Sequence, residues 1–305
     1  MQLLQLSPLW NRDHHWQGIL ATGSLGQLQS LDVLLAESAI ANHFAYYADS
    51  PELHARVLQP FSEGQWLSGV DQAGQLDAMR EDQLAFGRWY TVAGEQMCAS
   101  AKPELLELMS LVAADAETEA LERIFSRTPE LTFRLLKLVN SVGMRSRIQI
   151  DSIRHAITVL GRNQLKRWVQ LLMYAEQFSE SDRIAPLLLA ALLRARRLES
   201  WVQHGWLNAP AESAFLLGML SLLDQLFKKP LPELVASLPL GDEMSAALLE
   251  KSGVLGQALT QSIDMEVYLG NVRWVIRPLD QPELWVKSEL EVYRWVGMLA
   301  ESMQR

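Results

Sequence analysis

Cysteine is almost missing from this chain. Cys98 is the only one in 305 residues, which excludes an internal disulfide and any zinc site built on thiolates. A reducing cytoplasm fits that usage. Positive charge is also short: the formal net charge is -9, so no broad basic surface exists to neutralise phosphates along a nucleic acid. Duplex DNA or RNA is therefore not an expected partner. Long apolar runs are lacking as well. Even the stretch at 184–193 falls short of a membrane span, so membrane insertion is not expected. Residues 1–16 have neither a basic start nor a long apolar core and do not read as a signal peptide.

The common catalytic signatures are absent too. The sequence contains no Walker loop, no dinucleotide glycine fingerprint, no Gly-x-Ser-x-Gly and no His-Glu-x-x-His. Gly23-Ser24-Leu25-Gly26 is too short and too ordinary to be called a phosphate loop. Cys98 has no paired histidine and reads as a linker or core thiol. His14 and His15 are neighbours in a segment expected to be loosely ordered, and adjacent residues seldom converge on one metal. His155 reads as a partly exposed helix residue. His204, before Gly205, reads as a helix C-terminal residue, where a positive ring meets the negative end of the helix dipole.

What the chain does have is apolar periodicity. From Leu105 onward it is helical, predicting helices near 104–113, 117–126, 130–140, 152–160, 163–178, 186–203, 211–227, 243–250 and 283–302, with prolines between them. Residues 1–97 differ, being short apolar runs separated by Gly, Ser and Pro, with 20–35 and 65–70 as strand-bearing segments. The boundary is placed in the small-residue stretch 95–103, where Pro103 can open a helix. The expected fold is mainly α: an irregular helical bundle over 98–305 preceded by a small mixed α/β region over 1–97. The basic cluster Arg194, Arg196 and Arg197 reads as the solvated face of a helix.

The densest pattern lies at 128–168, TPELTFRLLKLVNSVGMRSRIQIDSIRHAITVLGRNQLKRW. Thr128 can cap a helix that Pro129 begins, with Leu131, Leu135, Leu138 and Val139 on one face. Gly143 offers an exit and Asp151 or Ser152 a new cap. Ile153, Ile157 and Leu160 form the next stripe before Gly161, and Leu165, Trp168, Val169 and Leu172 the one after. Asn140 and Ser141 sit at a helix end, where polar side chains can bond freed backbone groups and fix the angle to the next helix. This stretch resembles the HDOD domain, a relative of the HD metal phosphohydrolases that has usually exchanged catalysis for a role in bacterial signalling. The resemblance marks Asn140, Ser141, Gly143, Gly161 and Trp168 as motif positions with a structural or recognition role.

The resemblance also locates the His-Asp metal pair of HD enzymes, within a helix of the form Gly-Leu-Leu-His-Asp-Ile-Gly. The matching piece here is Gly218-Met219-Leu220-Ser221-Leu222-Leu223-Asp224, so Ser221 and Leu222 stand where the pair would be. Leucine cannot ligate. Asp224 is two residues further on, about 200° around a helix, and is no substitute. Over residues 28–91 the chain is similar to the tail of an EAL domain, the cyclic di-GMP phosphodiesterase barrel. The matching pieces are Trp66-Leu67-Ser68-Gly69-Val70-Asp71 and Phe86-Gly87-Arg88-Trp89-Tyr90, but Ser68, Asp71 and Phe86 replace family glutamates and a glutamine. A region of this size cannot close a barrel of about 250 residues.

The expectation is a degenerate EAL-like remnant leading into an HDOD domain. Neither a catalytic residue nor a metal or other cofactor is expected. The function implied by the resemblance is a non-catalytic signalling module, contacting other signalling proteins in a pathway related to cyclic di-GMP, with self-association left open. The alternatives are an HD-type phosphohydrolase with atypical ligands, or a nucleotide sensor using the old active-site groove. Trp66, Trp89 and Tyr90 are the expected anchors between the two regions, because bulky aromatics dominate the energetics of such junctions.

Overall fold

The computed structural model describes residues 3–37, 44–48, 52–61, 64–91, 103–127, 154–155, 167, 170, 186–236, 238, 240–268, 272–278 and 281–304. Most of the 128–168 motif, including Asn140, Ser141, Gly143, Gly161 and Trp168, lies outside them. So do Cys98 and most of the expected boundary at 95–103.

The N-terminal region forms a six-stranded sheet in the order β4-β3-β2-β1-β6-β5. Strands β1 (Gln5–Trp10) and β2 (Trp16–Thr22) are antiparallel partners. The link between them is a tight turn, not a loose segment. Asn11 Oδ1 accepts the amides of Asp13 and His15 at 3.1 and 2.9 Å, and His14 takes the left-handed conformation at φ 65°. All six β1 residues are buried, which is why the strand shows no alternation that would have revealed it in the sequence.

Helix α1 (Leu25–Glu37) then crosses to β3 (Phe44–Ala48), which runs parallel to β2 and to the edge strand β4 (Gln59–Phe61). The expected strand-bearing segment 20–35 is thus helix for most of its length. Leu28, Leu31 and Leu35 recur at helical spacing and are buried together. On the other edge, β5 (Trp66–Leu67) connects through α2 (Ala73–Asp77) to a parallel β6 (Leu84–Ala85). Six strands laid flat would set the edges about 24 Å apart. Phe61 and Trp66, on opposite edges, are five residues apart and so at most about 18 Å. The sheet is therefore curled.

Asp32 is a buried carboxylate in the middle of α1. It accepts the backbone amides of Arg56, Val57 and Leu58, each at 2.8 Å, and so fixes the approach to β4. Burial alone would raise its pKa, but these amides hold the group below the ordinary aspartate value. A depressed native pKa means that the stabilisation is complete above the unfolded value and fades as pH falls toward the native one. Asp32→Ala is expected to cost about 1–3 kcal/mol near neutrality. Urea midpoints of the two proteins should converge as pH falls through the ordinary aspartate range toward the lower native value; a gap independent of pH would mean that the carboxylate charge plays no part.

The rest of the described chain is helical: α3 (Pro103–Ala113), α4 (Thr118–Arg127), α5 (Pro186–Gln203), α6 (Ala211–Leu220), α7 (Leu223–Phe227), α8 (Leu231–Ala236), α9 (Asp242–Leu249), α10 (Gly253–Val267) and α11 (Pro282–Gln304). The fold class is as expected, mainly α behind a small mixed α/β region. Two details differ. The helix expected over 211–227 breaks at Ser221-Leu222. Helix α10, absent from the expected set, places Gln261, Ser262 and Glu266 inward among Leu255, Leu259 and Met265, which interrupts the apolar stripe.

Helix α5 is the hub, buried on nearly every side from Leu187 to Trp201. A helix with no solvent face must pair whatever charge it carries. The reading of Arg194, Arg196 and Arg197 as a solvated face is therefore wrong: Arg194 and Arg197 are fully buried. Gly218 allows α6 to cross α5 at contact distance, since a Cβ there would lie 2.3 Å from the Ala195 nitrogen. One continuous core joins the sheet to the helices, from Leu4, Leu6 and Trp89 to Trp201, Trp285 and Tyr293.

Candidate functional site: a buried arginine centre

Where α6 ends, Ser221 turns back on its own helix. Its amide and hydroxyl both reach the Gly218 carbonyl, the hydroxyl at 2.7 Å, and this local bonding competes with continued helix. Leu222 follows with φ -125° and is 2 % exposed. The close crossing at Gly218 brings α5 alongside, and Arg194 Nη1 donates to Ser221 Oγ at 3.0 Å. The other edge of the guanidinium is held by Glu266 of α10. Nε donates to Oε1 at 2.7 Å and Nη2 to Oε2 at 2.6 Å, the two-point geometry that suits arginine and carboxylate.

The sheet region closes this centre. The 3₁₀ turn Trp89–Thr91 carries Tyr90, whose hydroxyl donates to Glu266 Oε2 at 3.0 Å. Arg88 Nε lies 3.8 Å from the same oxygen. Burial would raise the Glu266 pKa, but Arg194 and then Arg88 hold it below the usual glutamate value. Burial and the Glu266 carboxylate push the Tyr90 phenol well above its own, so the phenol stays protonated and remains a donor. Lys251 is depressed by burial and by the positive charges of Arg194 and Arg88, with Asp224 opposing. The pocket of charge is thus internally paired with a cationic excess.

A second buried pair lies a turn along α5. Arg197 meets Glu289 of α11 at 3.0 Å and reaches the Leu6 carbonyl of β1 at 3.4 Å; the Tyr293 hydroxyl donates to that carbonyl at 2.8 Å. A third involves Glu199, which pairs with Arg196 at 2.6 Å and with Arg167. Four charged positions on one helix, Arg194, Arg196, Arg197 and Glu199, therefore each face a partner on another element or on the next turn.

Of the residues expected to carry function, the structure brings Ser221 and Tyr90 to one centre, Leu222 beside it. Trp89 is fully buried and meets Trp10 edge-on at 5.6 Å, in the shared core. Trp66 stands apart, packed on a small cluster of Leu9, Leu20 and Phe86. His155 is a half-buried helix residue, and His204 accepts its place at the end of α5, with Nδ1 2.8 Å from the Ser200 carbonyl. Arg194 and Glu266, which organise the centre, went unnoticed in the sequence. The signal for Arg194 was present: arginines inside PLLLAALLRARRLESW, leucine-rich on all faces, must be buried and hence paired. Glu266 had none, because the stripe around it is broken. Among the described residues no three His, Cys, Asp or Glu side chains are grouped to hold a metal ion, and no helix is long and apolar enough to cross a membrane.

Residues 103–230 match the family model of the HDOD domain. The chain is 33% identical over 153 residues to the cyclic di-GMP phosphodiesterase CdgJ of Vibrio cholerae serotype O1, covering 50% of this chain and 34% of that protein. It is 35% identical over 133 residues to the uncharacterized protein YuxH of Bacillus subtilis strain 168, covering 43% of this chain and 31% of that one. The matches therefore span about a third of each relative's length. Among solved structures, a putative phosphohydrolase from Shewanella amazonensis is similar with a TM-score of 0.42 at 14% identity, over 67% of this chain and 94% of that one.

Proposed function

We propose, from the HDOD domain at residues 103–230 as premise, that this chain is a non-catalytic module of bacterial signal transduction. It acts as a regulatory output through contacts with other cytoplasmic signalling proteins, in a pathway related to cyclic di-GMP. The observation that carries the reading is the fate of the His-Asp position. Ser221 has its hydroxyl engaged by Arg194 and by Gly218, and Leu222 is an apolar core residue. A fixed guanidinium balances carboxylate charge there. It cannot take up a water molecule and lower its pKa, which is what a metal does in a hydrolase.

The pathway rests on the likeness to CdgJ, whose name assigns phosphodiesterase activity to that protein; the shared segment is only 34% of it. The sheet region is read as the remnant of an EAL domain. Its support is local: the first piece that carried the resemblance begins with β5 and the second directly follows β6, at the two ends of the parallel β5–α2–β6 crossover. Gly87 sits at φ 152° so close to Val70 that a Cβ would fall 2.0 Å from the Val70 oxygen, so that glycine is required by the contact. The net charge of -9 argues against nucleic acid as a partner.

Purified full-length protein, prepared without added metal, is expected to contain no stoichiometric iron, manganese or zinc and to hydrolyse neither cyclic di-GMP nor a generic phosphodiester above a blank. Stoichiometric metal, or turnover, would return the chain to the phosphohydrolases. The double substitution Ser221→His, Leu222→Asp is expected to create no activity, since Arg194 would still occupy the space and the other ligands of an HD site would still be missing.

A further inference from the structure

Lys251 lies in the link between α9 and α10, within reach of the charges of Arg194 and Arg88. We propose that it is a modification site, whose amine takes up carbon dioxide as a carbamate that the cations of the arginine centre hold in place. The inference uses a residue to which the signalling reading gives no role, and it stands whether or not that reading holds.

Backbone contacts fix where the amine sits. Lys251 takes the left-handed conformation at φ 55°, uncommon for a residue with a long side chain, and α10 closes over it: a Cβ added at Gly256 would lie 2.3 Å from the Lys251 carbonyl carbon. The side chain does not run out into water. It folds back so that Nζ donates to the Leu248 carbonyl at 2.5 Å, one of the last carbonyls of α9, which have no donor within the helix. Among the described residues this amine forms no ion pair, whereas the exposed Lys229 meets Glu233 at 3.5 Å.

Arg88 is a second cation without a matched partner. Its side chain keeps 28% exposure and meets Glu266 Oε2 at 3.8 Å, too far for a hydrogen bond, and its guanidinium makes none among the described residues. Glu266 is already committed to two bonds from Arg194 and one from Tyr90. Burial, then Arg194 and Arg88, hold the Lys251 amine below the ordinary lysine value against the pull of Asp224. A larger share of it is therefore free base, the form with a nucleophilic lone pair.

The reaction needs no other reagent than water. The Nζ lone pair attacks the carbon of carbon dioxide, an N–C bond forms, one pair of a C=O bond moves onto oxygen, and an N–H proton passes to water; nothing is oxidised or reduced. Carbon dioxide is small and uncharged, so it can approach an amine that is half buried among cations. The product is an anion where a cation stood, which turns repulsion from Arg88 and Arg194 into attraction. Its remaining N–H keeps the Leu248 carbonyl bonded. An acyl group on the same nitrogen would only remove charge and leave Arg88 unmatched, and so the site selects the carbamate.

The test is chemical trapping on the full-length protein. Protein equilibrated with bicarbonate, as the source of dissolved carbon dioxide, is treated with triethyloxonium, which converts a carbamate to a stable ethyl ester. Peptide mass spectrometry should find that ester at Lys251 at least about tenfold more often than at the exposed Lys228, Lys229 and Lys287. Arg88→Gln removes one of the holding charges and leaves the Arg194–Glu266 pair in place, so it should fold and lower the trapped fraction several-fold. No ester at Lys251, or a fraction no higher than at the three exposed lysines, overturns the proposal on the unaltered protein alone. An unchanged fraction in Arg88→Gln overturns it too, since the cations then do not hold the group.

Discussion

Glu266→Ala is expected to destabilise the fold by about 3–5 kcal/mol, because it removes the carboxylate that holds the buried Arg194 guanidinium at two points. Two groups lose their acceptor together, since Arg194 and the Tyr90 hydroxyl share that carboxylate. The companion variant separates charge from packing. Replacing both members, Arg194→Met with Glu266→Leu, removes the cost of burying charge as well as the attraction, and buried ion pairs exchanged for apolar residues are often neutral or better. The double variant should therefore regain most of the loss in a urea melt. The pH dependence has a definite sign. Glu266 has a depressed native pKa, so its contribution is full above the ordinary glutamate value and is lost as pH falls through the native one. If Glu266→Ala proves as stable as the parent, Arg194 has another partner and the centre is not what ties α5 to α10.

How much of this was visible in the sequence follows from what each element buries. Helices with an ordinary apolar stripe, such as those beginning at Pro103, Pro186 and Pro282, were legible to within a residue or two. The elements that escaped are those buried in a way that erases periodicity. Strand β1 is covered on both faces, and α10 turns polar residues inward. Those two elements meet, Gln5 and Ser7 of β1 both bonding the Met265 carbonyl at 2.9 and 3.0 Å. The part of the centre that sequence could not supply is therefore the part made by contacts across about 260 residues.

That dependence of the helices on the strand leads to the second large effect. A chain beginning at Glu95 is expected to lose its compact native state, aggregating or binding a hydrophobic dye. Strand β1 lies against α10 and α11, and the backbone at its start answers side chains of α11 and α5: the Leu4 carbonyl takes the Trp285 indole at 2.7 Å, and the Leu6 carbonyl takes both Tyr293 and Arg197. Deletion would let water reach those polar groups, so their hydrogen bonds could largely be replaced. The lasting loss is apolar. Leu4, Leu6, Trp10 and Trp89 leave the shared core and uncover Trp285, Tyr293 and their neighbours. Exposing about 200 Å² of apolar surface costs about 5 kcal/mol, and a domain's whole stability is about 5–15 kcal/mol. The paired charges add to this, because once Tyr90 and Arg88 are gone the Arg194–Glu266 pair is opened to solvent, where an ion pair contributes little. Light scattering and thermal melts of the shortened chain would decide the matter. A soluble monomer with the melting temperature of the full chain would mean that the helices stand alone, and that the sheet region is retained for a partner and not for the fold.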